Sequence, residues 1–524
     1  MGNHNLQATW VYHDGTKHSY QSIRTNQHYL DWENQPISFK VYSKLEPIPL
    51  PQHLSSSGMA ALGAISIPET RTDLQVIPSI QTLAEIFYLS AGVTKRRRYP
   101  GGEILFRAAA CTGALYHIDL YCICGDLPDL AAGIYHFGPH DFALRKLREG
   151  DYRAVLVGAS GNEPALAEAP VIVVSGSTYW RNAWKYQARA YRHCYWDNGT
   201  LLANLLAAAA ARHVPARVII GFEDLAVSRL LGLDTMREGA LSLVSLGKGP
   251  ASHTGHLPVV EPLTFETMPL SKQEVDYPAI RAMHEASSLE SEQEVVDWRQ
   301  QVLATSPVIV TSPSAVTEER SVALRPLGDD EITRDTIEEV VQRRGSTRQF
   351  AREAISFSQL STMLDRATRG IATDFISPER TPLNDLYLIV HAVDDLAPGA
   401  YVYRKNERAL ELLKEGNFRR EAGYLGLGQE IPADCSVNVY FLADLNRVLE
   451  RFGNRGYRAA QLEAAIMGGK LYLAAYAQRL GASGLTFFDD DVTEFFSPHA
   501  AGKSVMFLIA LGKSIKQRKG STVS

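Results

Sequence analysis

Hydrophobic and polar positions along the chain predict one order of elements, and that order occurs twice. Each half begins with a short helix, continues through apolar strands and one long helix, and ends on a last apolar strand. In the first half we predict helices at 82–89 and 189–211, and strands at 118–123, 171–175 and 241–246. In the second half we predict helices at 357–367 and 455–479, and strands at 386–390, 437–442 and 505–511.

Four pairs of short segments match at a constant offset of 266 residues. GIYHF at 133–137 recurs as GAYVY at 399–403, and LREGDYR at 147–153 recurs as LKEGNFR at 413–419. RAYR at 189–192 recurs as RGYR at 455–458, and FED at 222–224 recurs as FDD at 488–490. A register that holds over about 100 residues indicates an internal duplication.

The period is far too long for a solenoid, so we predict an α+β protein built from two fused copies of one domain, a covalent form of a homodimer. Each copy is long enough to bury its own core. The predicted parts are an N-terminal extension at 1–60, domain 1 at 61–249, a connector with a helix at 291–302 within 250–330, domain 2 at 331–515 and a basic tail at 516–524.

The two long predicted helices are apolar on nearly all faces and rich in alanine and glycine. Such helices are usually buried against another helix, and small residues permit a close approach. We therefore expect the two long helices to pack on each other in the fused dimer.

Composition excludes several classes of function. The 524 residues are 45% hydrophobic and 21% charged, as in an ordinary globular protein. A formal charge of −5 gives no electrostatic reason to expect a nucleic acid or a membrane as partner. The five cysteines are odd in number and form no pair of CxxC motifs, which favours free thiols and no metal site.

The sequence shows no pattern of a signal peptide or a membrane span. The first ten residues, MGNHNLQATW, lack the charged and then apolar pattern of a signal peptide. The longest apolar run, 201–211, is interrupted by Asn204 and is too short to span a bilayer. We therefore expect a cytoplasmic protein.

One motif of the second half suits a phosphate. RRGSTRQF at 343–350 brings Arg344, Ser346 and Arg348 together, and guanidinium groups with a hydroxyl match phosphate oxygens. A solvated basic face is the commoner fate of an arginine pair. In the first half, Glu69 aligns with Ser346, and Arg71 aligns with Arg348. Since a carboxylate repels a phosphate dianion, we expect the first half's version of this site to be inactive.

The first half carries a different motif, RAAACTGALY at 107–116, which leads into a strand. Its small residues would let the backbone approach a flat ligand closely. The counterpart at 376–381 is bulky, charged and contains a proline. Each half therefore keeps what the other has lost, and we predict one working site at the interface.

A third motif offers proton transfer. Lys185 stands beside Tyr186, and burial lowers the pKa of a lysine towards neutrality. A surface lysine beside a core tyrosine is the commoner arrangement. The arginines of RAYR and RGYR are retained in both halves, and we expect them to serve structure.

The combined motifs resemble the nitroreductase superfamily of flavin enzymes, and in particular its SagB-type branch, the azoline dehydrogenases. The resemblance covers nearly the whole chain and includes TKHSYQSI, AGVTKRRR, TGALYHIDLY, WKYQARAYRH, GFEDLAVSRLLGLD and RRGSTRQF. It implies FMN bound at the interface of two subunits, with the phosphate motif from one and the ring cradle from the other.

The resemblance also implies roles for individual residues. Catalysis would fall to Lys185 and Tyr186. The implied FMN contacts are Arg344, Ser346, Arg348 and Lys513 for the phosphate, Arg107, Ala110, Cys111, Thr112 and Gly113 for the ring, and Gly484 and Leu485 for its other edge. Two departures concern these contacts: Cys111-Thr112 stands where the family has Pro-Ser, and Gly345 is an extra residue in the phosphate motif.

Three functions remain open at this stage. The first is an FMN-dependent dehydrogenase acting on an azoline-like C–H/X–H bond in a peptide or small molecule, with biosynthetic partner proteins. The second is an NAD(P)H-dependent nitro- or quinone reductase, and the third is a non-catalytic peptide-binding scaffold. For the first we expect one FMN per chain, and further oligomerisation is open.

Overall fold

The computed structural model describes residues 2–70, 73–99, 102–250, 258–303, 320–376 and 382–515. Three expectations lie outside these residues: the alignment of Arg71, most of the counterpart segment at 376–381, and the basic tail at 516–524.

Two seven-stranded sheets form the centres of the described chain. The first follows the order β1-β6-β5-β4-β7-β9-β8, and a separate two-stranded sheet pairs β2 with β3. These strands are β1 (Ile48–Pro49), β2 (Val93–Tyr99), β3 (Gly102–Arg107), β4 (Ile118–Cys124), β5 (Gly133–Gly138), β6 (Ala143–Glu149), β7 (Val171–Thr178), β8 (Ala216–Ile219) and β9 (Glu238–Leu246).

The second sheet repeats the first strand for strand, in the order β10-β13-β12-β11-β14-β16-β15. Its strands are β10 (Ser321–Ala323), β11 (Asn384–Val390), β12 (Gly399–Arg404), β13 (Ala409–Glu415), β14 (Val437–Ala443), β15 (Gly481–Gly484) and β16 (Ser504–Gly512). The register repeats as well, since Tyr121 pairs with His136 in the first sheet and Tyr387 pairs with Val402 in the second. The predicted duplication and the α+β fold are confirmed.

Helices cover the sheets and connect their strands. The helices up to the end of the first sheet are α1 (Gln7–Gly15), α2 (Tyr20–Thr25), α3 (Ala61–Ser66), α4 (Ile80–Ala91), α5 (Arg153–Ala159), α6 (Pro164–Ala167), α7 (Tyr179–Tyr186), α8 (Ala190–Ala211) and α9 (Asp224–Leu231). The later ones are α10 (Pro278–Ala286), α11 (Glu292–Leu303), α12 (Ile337–Arg343), α13 (Phe357–Ala367), α14 (Arg419–Leu425), α15 (Glu430–Asp434), α16 (Leu445–Phe452), α17 (Arg455–Ala477) and α18 (Asp489–Phe496). Within these described residues, no helix is both long and apolar enough to cross a membrane.

The two long helices, α8 and α17, pack directly on each other, as the sequence predicts. Glycines allow the helices to come this close. A Cβ added at Gly199 would overlap the Cβ of Ala465, and one added at Gly469 would lie 2.6 Å from the Cβ of Ala203. Both helices are buried on nearly every side. The small residues therefore create the close interface that joins the two halves, which we call the first and second modules.

Two reciprocal ion clusters fasten this interface. Arg192 of α8 donates to Asp489 of the second module at 2.6 Å, and Arg458 of α17 donates to Asp224 of the first module at 2.6 Å. All four side chains are buried. The arginines thus have the structural role that the sequence predicts. Each module supplies arginines that bind an aspartate of the other module.

The ion clusters correct one repeat match. The sequence aligns Asp224 with Asp490, but the structure places Asp489 at that position, because Asp224 and Asp489 each begin a helix and each bind the partner module's arginines. The loop between α17 and β15 is one residue shorter than the loop between α8 and β8. The offset is therefore 265 for β8 and α9 and their counterparts β15 and α18, and it returns to 266 at β9 and β16.

Candidate functional site

A cavity of about 340 Å³ lies at the seam between the two modules. The first module contributes the turn after β3 and residues of α7 and α8. The second module contributes the loop that follows α12 and residues of α17, β15 and β16. Ten residues singled out from the sequence line it together: Ala110, Cys111, Thr112, Gly113, Lys185, Tyr186, Ser346, Arg348, Gly484 and Leu485.

The small-residue segment forms one wall of the cavity. Gly113 has a positive φ of 64°, which favours glycine, and a Cβ there would lie 2.9 Å from the Tyr186 hydroxyl. A larger residue would therefore intrude on the cavity wall. The sequence expectation that small residues here permit a close backbone approach agrees with this geometry.

Asp197 of α8 holds that wall in place through hydrogen bonds. One carboxylate oxygen accepts from the backbone N–H and the hydroxyl of Thr112, both at 2.8 Å, and the other accepts from the Cys111 thiol at 3.1 Å. His117 lies 2.8 Å from the second oxygen and 2.8 Å from the Ser177 hydroxyl. This buried chain of hydrogen bonds holds the Cys111-Thr112 backbone in place.

The same cluster includes a possible set of metal ligands. Cys111, His117 and Asp197 each place one ligand atom within 4.8 Å of the others. The carboxylate already accepts hydrogen bonds from the other two residues. Burial and the neighbouring carboxylate raise the pKa of the Cys111 thiol, which disfavours the thiolate that a metal needs. We therefore interpret the cluster as a support for the cavity wall.

Lys185 and Tyr186 lie side by side at the C-terminal end of α7. The Lys185 ammonium is 5.4 Å from the centre of the Tyr186 ring. Partial burial, followed by the positive charge of Arg348, lowers the pKa of Lys185. Burial, followed by the charge of Asp197, raises the pKa of Tyr186. Lysine is thus the better proton acceptor of the two, and tyrosine stays a hydroxyl donor.

Residues near the N-terminus hold α7 in position. The Trp184 indole donates to the carbonyl of Asp31 at 3.0 Å, and His28 Nε2 lies 2.9 Å from the carbonyl of Trp184. The histidines near the N-terminus do not follow metal-ligand spacing. In the structure, His28 contacts the residue directly before the Lys185-Tyr186 pair.

The second module supplies the polar end of the cavity. The Ser346 hydroxyl lies 3.4 Å from that of Tyr472, which also accepts from the backbone N–H of Gly484. Arg348 is exposed and has no hydrogen bond or ion pair among the described residues. The buried Ser483 hydroxyl, also in the cavity wall, has no hydrogen-bond partner there either. Unsatisfied donors of this kind suit an oxygen-rich ligand.

Three residues singled out from the sequence do not line the cavity. Arg344 donates to the carbonyls of Ala108 at 2.8 Å and Arg107 at 3.0 Å. The Arg107 guanidinium is buried and donates to the carbonyls of Ile118 and Ser38. Lys513 forms an ion pair with Glu353 at 3.3 Å. The two arginines thus support the wall, and Lys513 lies elsewhere.

Several cavity residues were not singled out from the sequence: Trp196, Asp197, Thr200, Gln429, Tyr472, Ser483, Thr486 and Phe507. A signal was present for Asp197, because a carboxylate inside a long, alanine-rich apolar helix must have a specific partner. The others lie in helices, strands or loops without a motif, and only the fold brings them to the cavity.

The position related to the cavity by the duplication is filled. Asp374 is buried there, and its carboxylate accepts from the backbone N–H groups of Ile220 at 2.9 Å and Gly221 at 2.8 Å. Ile220 and Gly221 are the counterparts of Leu485 and Thr486 in the cavity. Trp298 of the connector helix α11 packs over Gly221 and donates to the carbonyl of Phe452, the counterpart of Tyr186.

The counterpart of the phosphate motif is an ion-pair network. Glu69, the residue aligned with Ser346, lies 3.7 Å from Arg217. Arg217 also faces Glu163 at 3.6 Å, and Glu163 in turn faces Arg299 at 3.3 Å. Side chains of the protein itself therefore occupy the position that corresponds to the cavity's polar end.

The fold and this site define a two-module α+β protein with a cavity at the seam between its modules. The family model of the nitroreductase family matches residues 133–248 and 341–513, which together are more than half of the chain. The chain therefore belongs to the nitroreductase family, whose members typically bind a flavin. It is an oxidoreductase of that family.

Two relatives agree with this assignment. The nitroreductase-like protein MJ1384 of Methanocaldococcus jannaschii is 24% identical over 164 residues, which cover 30% of this chain and 82% of that protein. A crystal structure of a nitroreductase-like protein from Anabaena variabilis is 26% identical, with a TM-score of 0.75. That alignment covers 97% of this chain and 99% of the other, so the two-module arrangement recurs in a solved structure.

A third match is weaker. A chain of the E. coli microcin synthetase McbBCD complex, solved with truncated pro-MccB17 bound, is 18% identical over 47% of this chain and 93% of its own length. Its TM-score is 0.31, so it carries no argument about function.

Proposed function

We propose that this protein is an FMN-dependent dehydrogenase of SagB type. It would oxidise a thiazoline- or oxazoline-like ring, carried by a peptide or a small molecule, to the aromatic ring. The observation that carries the proposal is that ten residues singled out from the sequence line the same cavity. The first module supplies the ring-cradle and proton-transfer motifs, and the second supplies the phosphate motif.

The size and lining of the cavity support a flavin mononucleotide as its ligand. The cavity volume of about 340 Å³ lies within the range of roughly 300–1,000 Å³ that is typical of small-molecule sites. Ala110 to Gly113 would face the ring, while Ser346 and Arg348 would hold the phosphate, Arg348 with donors that have no partner among the described residues. Gly484 and Leu485 would contact the far edge of the ring. The counterpart position is filled by Asp374 and Trp298, which supports one FMN per chain.

Oxidation of an azoline removes one proton and one hydride, so the ring loses two electrons. When bound, FMN supplies the acceptor for the hydride, and dioxygen would take the two electrons onward to form hydrogen peroxide. The proton must go to a base of the protein. Lys185 Nζ is the candidate, because partial burial and Arg348 lower its pKa and so raise the fraction that is neutral.

Tyr186 would act as a donor and not as the base. Its raised pKa keeps the phenol protonated, and its hydroxyl lies beside Gly113 at the cavity wall. From there it can donate a hydrogen bond to the substrate and hold the C–H bond in one orientation. Such orientation of the reacting groups is a large part of enzymatic rate enhancement.

The first test is the visible spectrum and the flavin content of the purified protein. We expect a yellow protein that releases one FMN per chain. Methyl 2-methylthiazoline-4-carboxylate, a small free azoline, should bleach the bound flavin without oxygen and yield the thiazole in air. A colourless protein that still binds peptides would refute the proposal in favour of a scaffold, and two flavins per chain would refute the single-site argument.

A reductase is the second candidate, and the two relatives reported above favour it because both are named as nitroreductases. It would use the same cavity and take electrons from NAD(P)H for a nitro or quinone substrate. Bleaching of the flavin by NADPH under anaerobic conditions within seconds, without bleaching by the azoline, would select it.

A further inference from the structure

Strands β2 and β3 form a two-stranded ribbon that stands apart from both large sheets. Within the described residues, neither outer edge of this ribbon pairs with another strand. Most of β2 is exposed, and so is the beginning of β3. The ribbon therefore offers free backbone N–H and C=O groups, to which an extended chain can add a strand.

The ribbon is strongly basic. Lys95, Arg96, Arg97 and Arg98 follow one another along the exposed part of β2. Of these four residues, only Arg96 forms an ion pair with another described residue, Glu103, at 3.7 Å. Exposed basic residues protect a free edge against aggregation, but a single charge can do that. Four in a row, on a chain with a net charge of −5, create a local field that attracts an anionic partner.

The base of the ribbon adjoins the cavity wall. β3 ends at Arg107, and Ala110, which lines the cavity, follows three residues later, at most about 10 Å along the chain. Asn204 donates to the carbonyls of Leu89 and Ala108, and Arg344 donates to those of Arg107 and Ala108. Residues of α8 and of the second module thus hold the ribbon in a fixed place beside the site.

We propose that this ribbon binds an acidic, extended segment of a peptide substrate, which adds a strand to its edge and directs the neighbouring residue into the cavity. The inference rests on the proposed function only for the choice of a peptide as substrate. The segment should be about six or seven residues long, because β2 has seven residues and β3 has six. The chain's own tail after residue 515 contains lysines and an arginine and no acid, so it does not match this surface.

The test uses the full-length protein and a fluorescein-labelled heptapeptide of alternating glutamate and threonine, with binding followed by fluorescence anisotropy. The variant K95E/R97E/R98E should weaken binding at least tenfold. The control R229E/R334E/R420E changes the net charge equally at exposed positions without side-chain partners in the described structure, and should change the affinity less than twofold. A peptide methylated at alternate backbone nitrogens should also bind at least tenfold more weakly.

Other outcomes would overturn the proposal. Equal loss in both triple variants would mean general electrostatics. Stronger binding of a single-stranded RNA oligomer than of the peptide would assign the ribbon to nucleic acid, and a change of oligomeric state in K95E/R97E/R98E would assign it to a second copy of the chain. Turnover of the small free azoline should be unchanged in this variant, so failure of the proposed reaction is detected separately from failure of peptide binding.

Discussion

The cavity and its filled counterpart started as copies of one site, and they differ in what occupies the space beside the same strand. In the cavity, Leu485 and Thr486 follow β15 and line open space. At the counterpart, Ile220 and Gly221 follow β8, and the carboxylate of Asp374 binds both of their N–H groups. At the counterpart, an internal side chain thus binds both N–H groups. In the second module, the N–H of Leu485 donates to the carbonyl of Leu508 at 3.1 Å instead, and the space beside it stays open.

The difference extends to the proton-transfer pair. Lys185 and Tyr186 line the cavity, whereas their counterparts are Arg451, which donates to the carbonyl of Gln301, and Phe452, which lies under Trp298. The connector that joins the modules thus closes one of the two sites. Two separate subunits of a homodimer cannot diverge in this way, because each must encode both halves of the site. Fusion removes that constraint.

The largest expected effect concerns this pair. Lys185→Ala should lower azoline turnover by about 10²–10⁴-fold, the range for loss of a general base, while the protein keeps its flavin. The matched variant Arg451→Ala should change turnover less than twofold. Both are measured by steady-state kinetics and by absorbance of the bound flavin. Equal turnover in Lys185→Ala and the wild type would remove the lysine from the mechanism.

A second prediction concerns what the modules still share. Asp489→Asn leaves Arg192 and Arg189 buried without their counter-charge, and Asp224→Asn does the same to Arg458 and Arg455. Each variant should lose about 3–5 kcal/mol of unfolding free energy. Urea denaturation measures this loss. A loss in one variant more than twice that in the other would contradict the reciprocal arrangement.

The next largest effect is expected from a substitution that makes the open site resemble its filled counterpart. Ser346→Glu introduces the residue type that stands at position 69, and its carboxylate should repel the FMN phosphate. We expect a loss of about 100-fold in FMN affinity, or about 2.7 kcal/mol. Ser346→Ala removes only a hydroxyl and should cost about tenfold or less. Fluorescence titration of the flavin-free protein measures both, and tight binding by Ser346→Glu would place the phosphate elsewhere.

The central strands and long helices could be predicted because their burial requires continuous apolar sequence. β4, β7, β11 and β14 each run for seven or eight mostly buried residues, and both long helices lie within two residues of their predicted ends. The edge strands β1 and β10 have only two and three residues and join the sheets by backbone pairing. Such short strands show no hydrophobic pattern that would predict them.

Residue type was enough to single out Lys185, Ser346 and Arg348, which the structure brings to one cavity; their roles stay predictions. The site could not be predicted where the fold decides which partner a side chain meets. Arg344 has the ideal chemistry for phosphate, yet it donates to two carbonyls of the other module. Asp374 and Trp298 are single residues in segments without a motif, and only the packing of the connector and second module brings them to the counterpart site.

The smallest expected effect tests whether the carboxylate at the counterpart of Asp197 is protonated in the folded protein. Glu463 occupies that position on α17, where its carboxylate accepts from the backbone N–H groups of Leu383 and Asn384. Burial raises the pKa of Glu463 to about 7. Between its unfolded pKa of about 4.3 and about 7, the folded state therefore holds a proton that the unfolded state has released.

Because of this difference, Glu463 should make the protein less stable as pH rises from about 5 to 7, with a slope of at most about 1.4 kcal/mol per pH unit. Glu463→Gln cannot titrate, so that part of the slope should vanish in urea denaturation series at these pH values. The control Glu407→Gln, at an exposed position of the same module, should keep the wild-type slope. An unchanged slope in Glu463→Gln would mean that the buried carboxylate stays charged, and that this position still resembles the open site electrostatically.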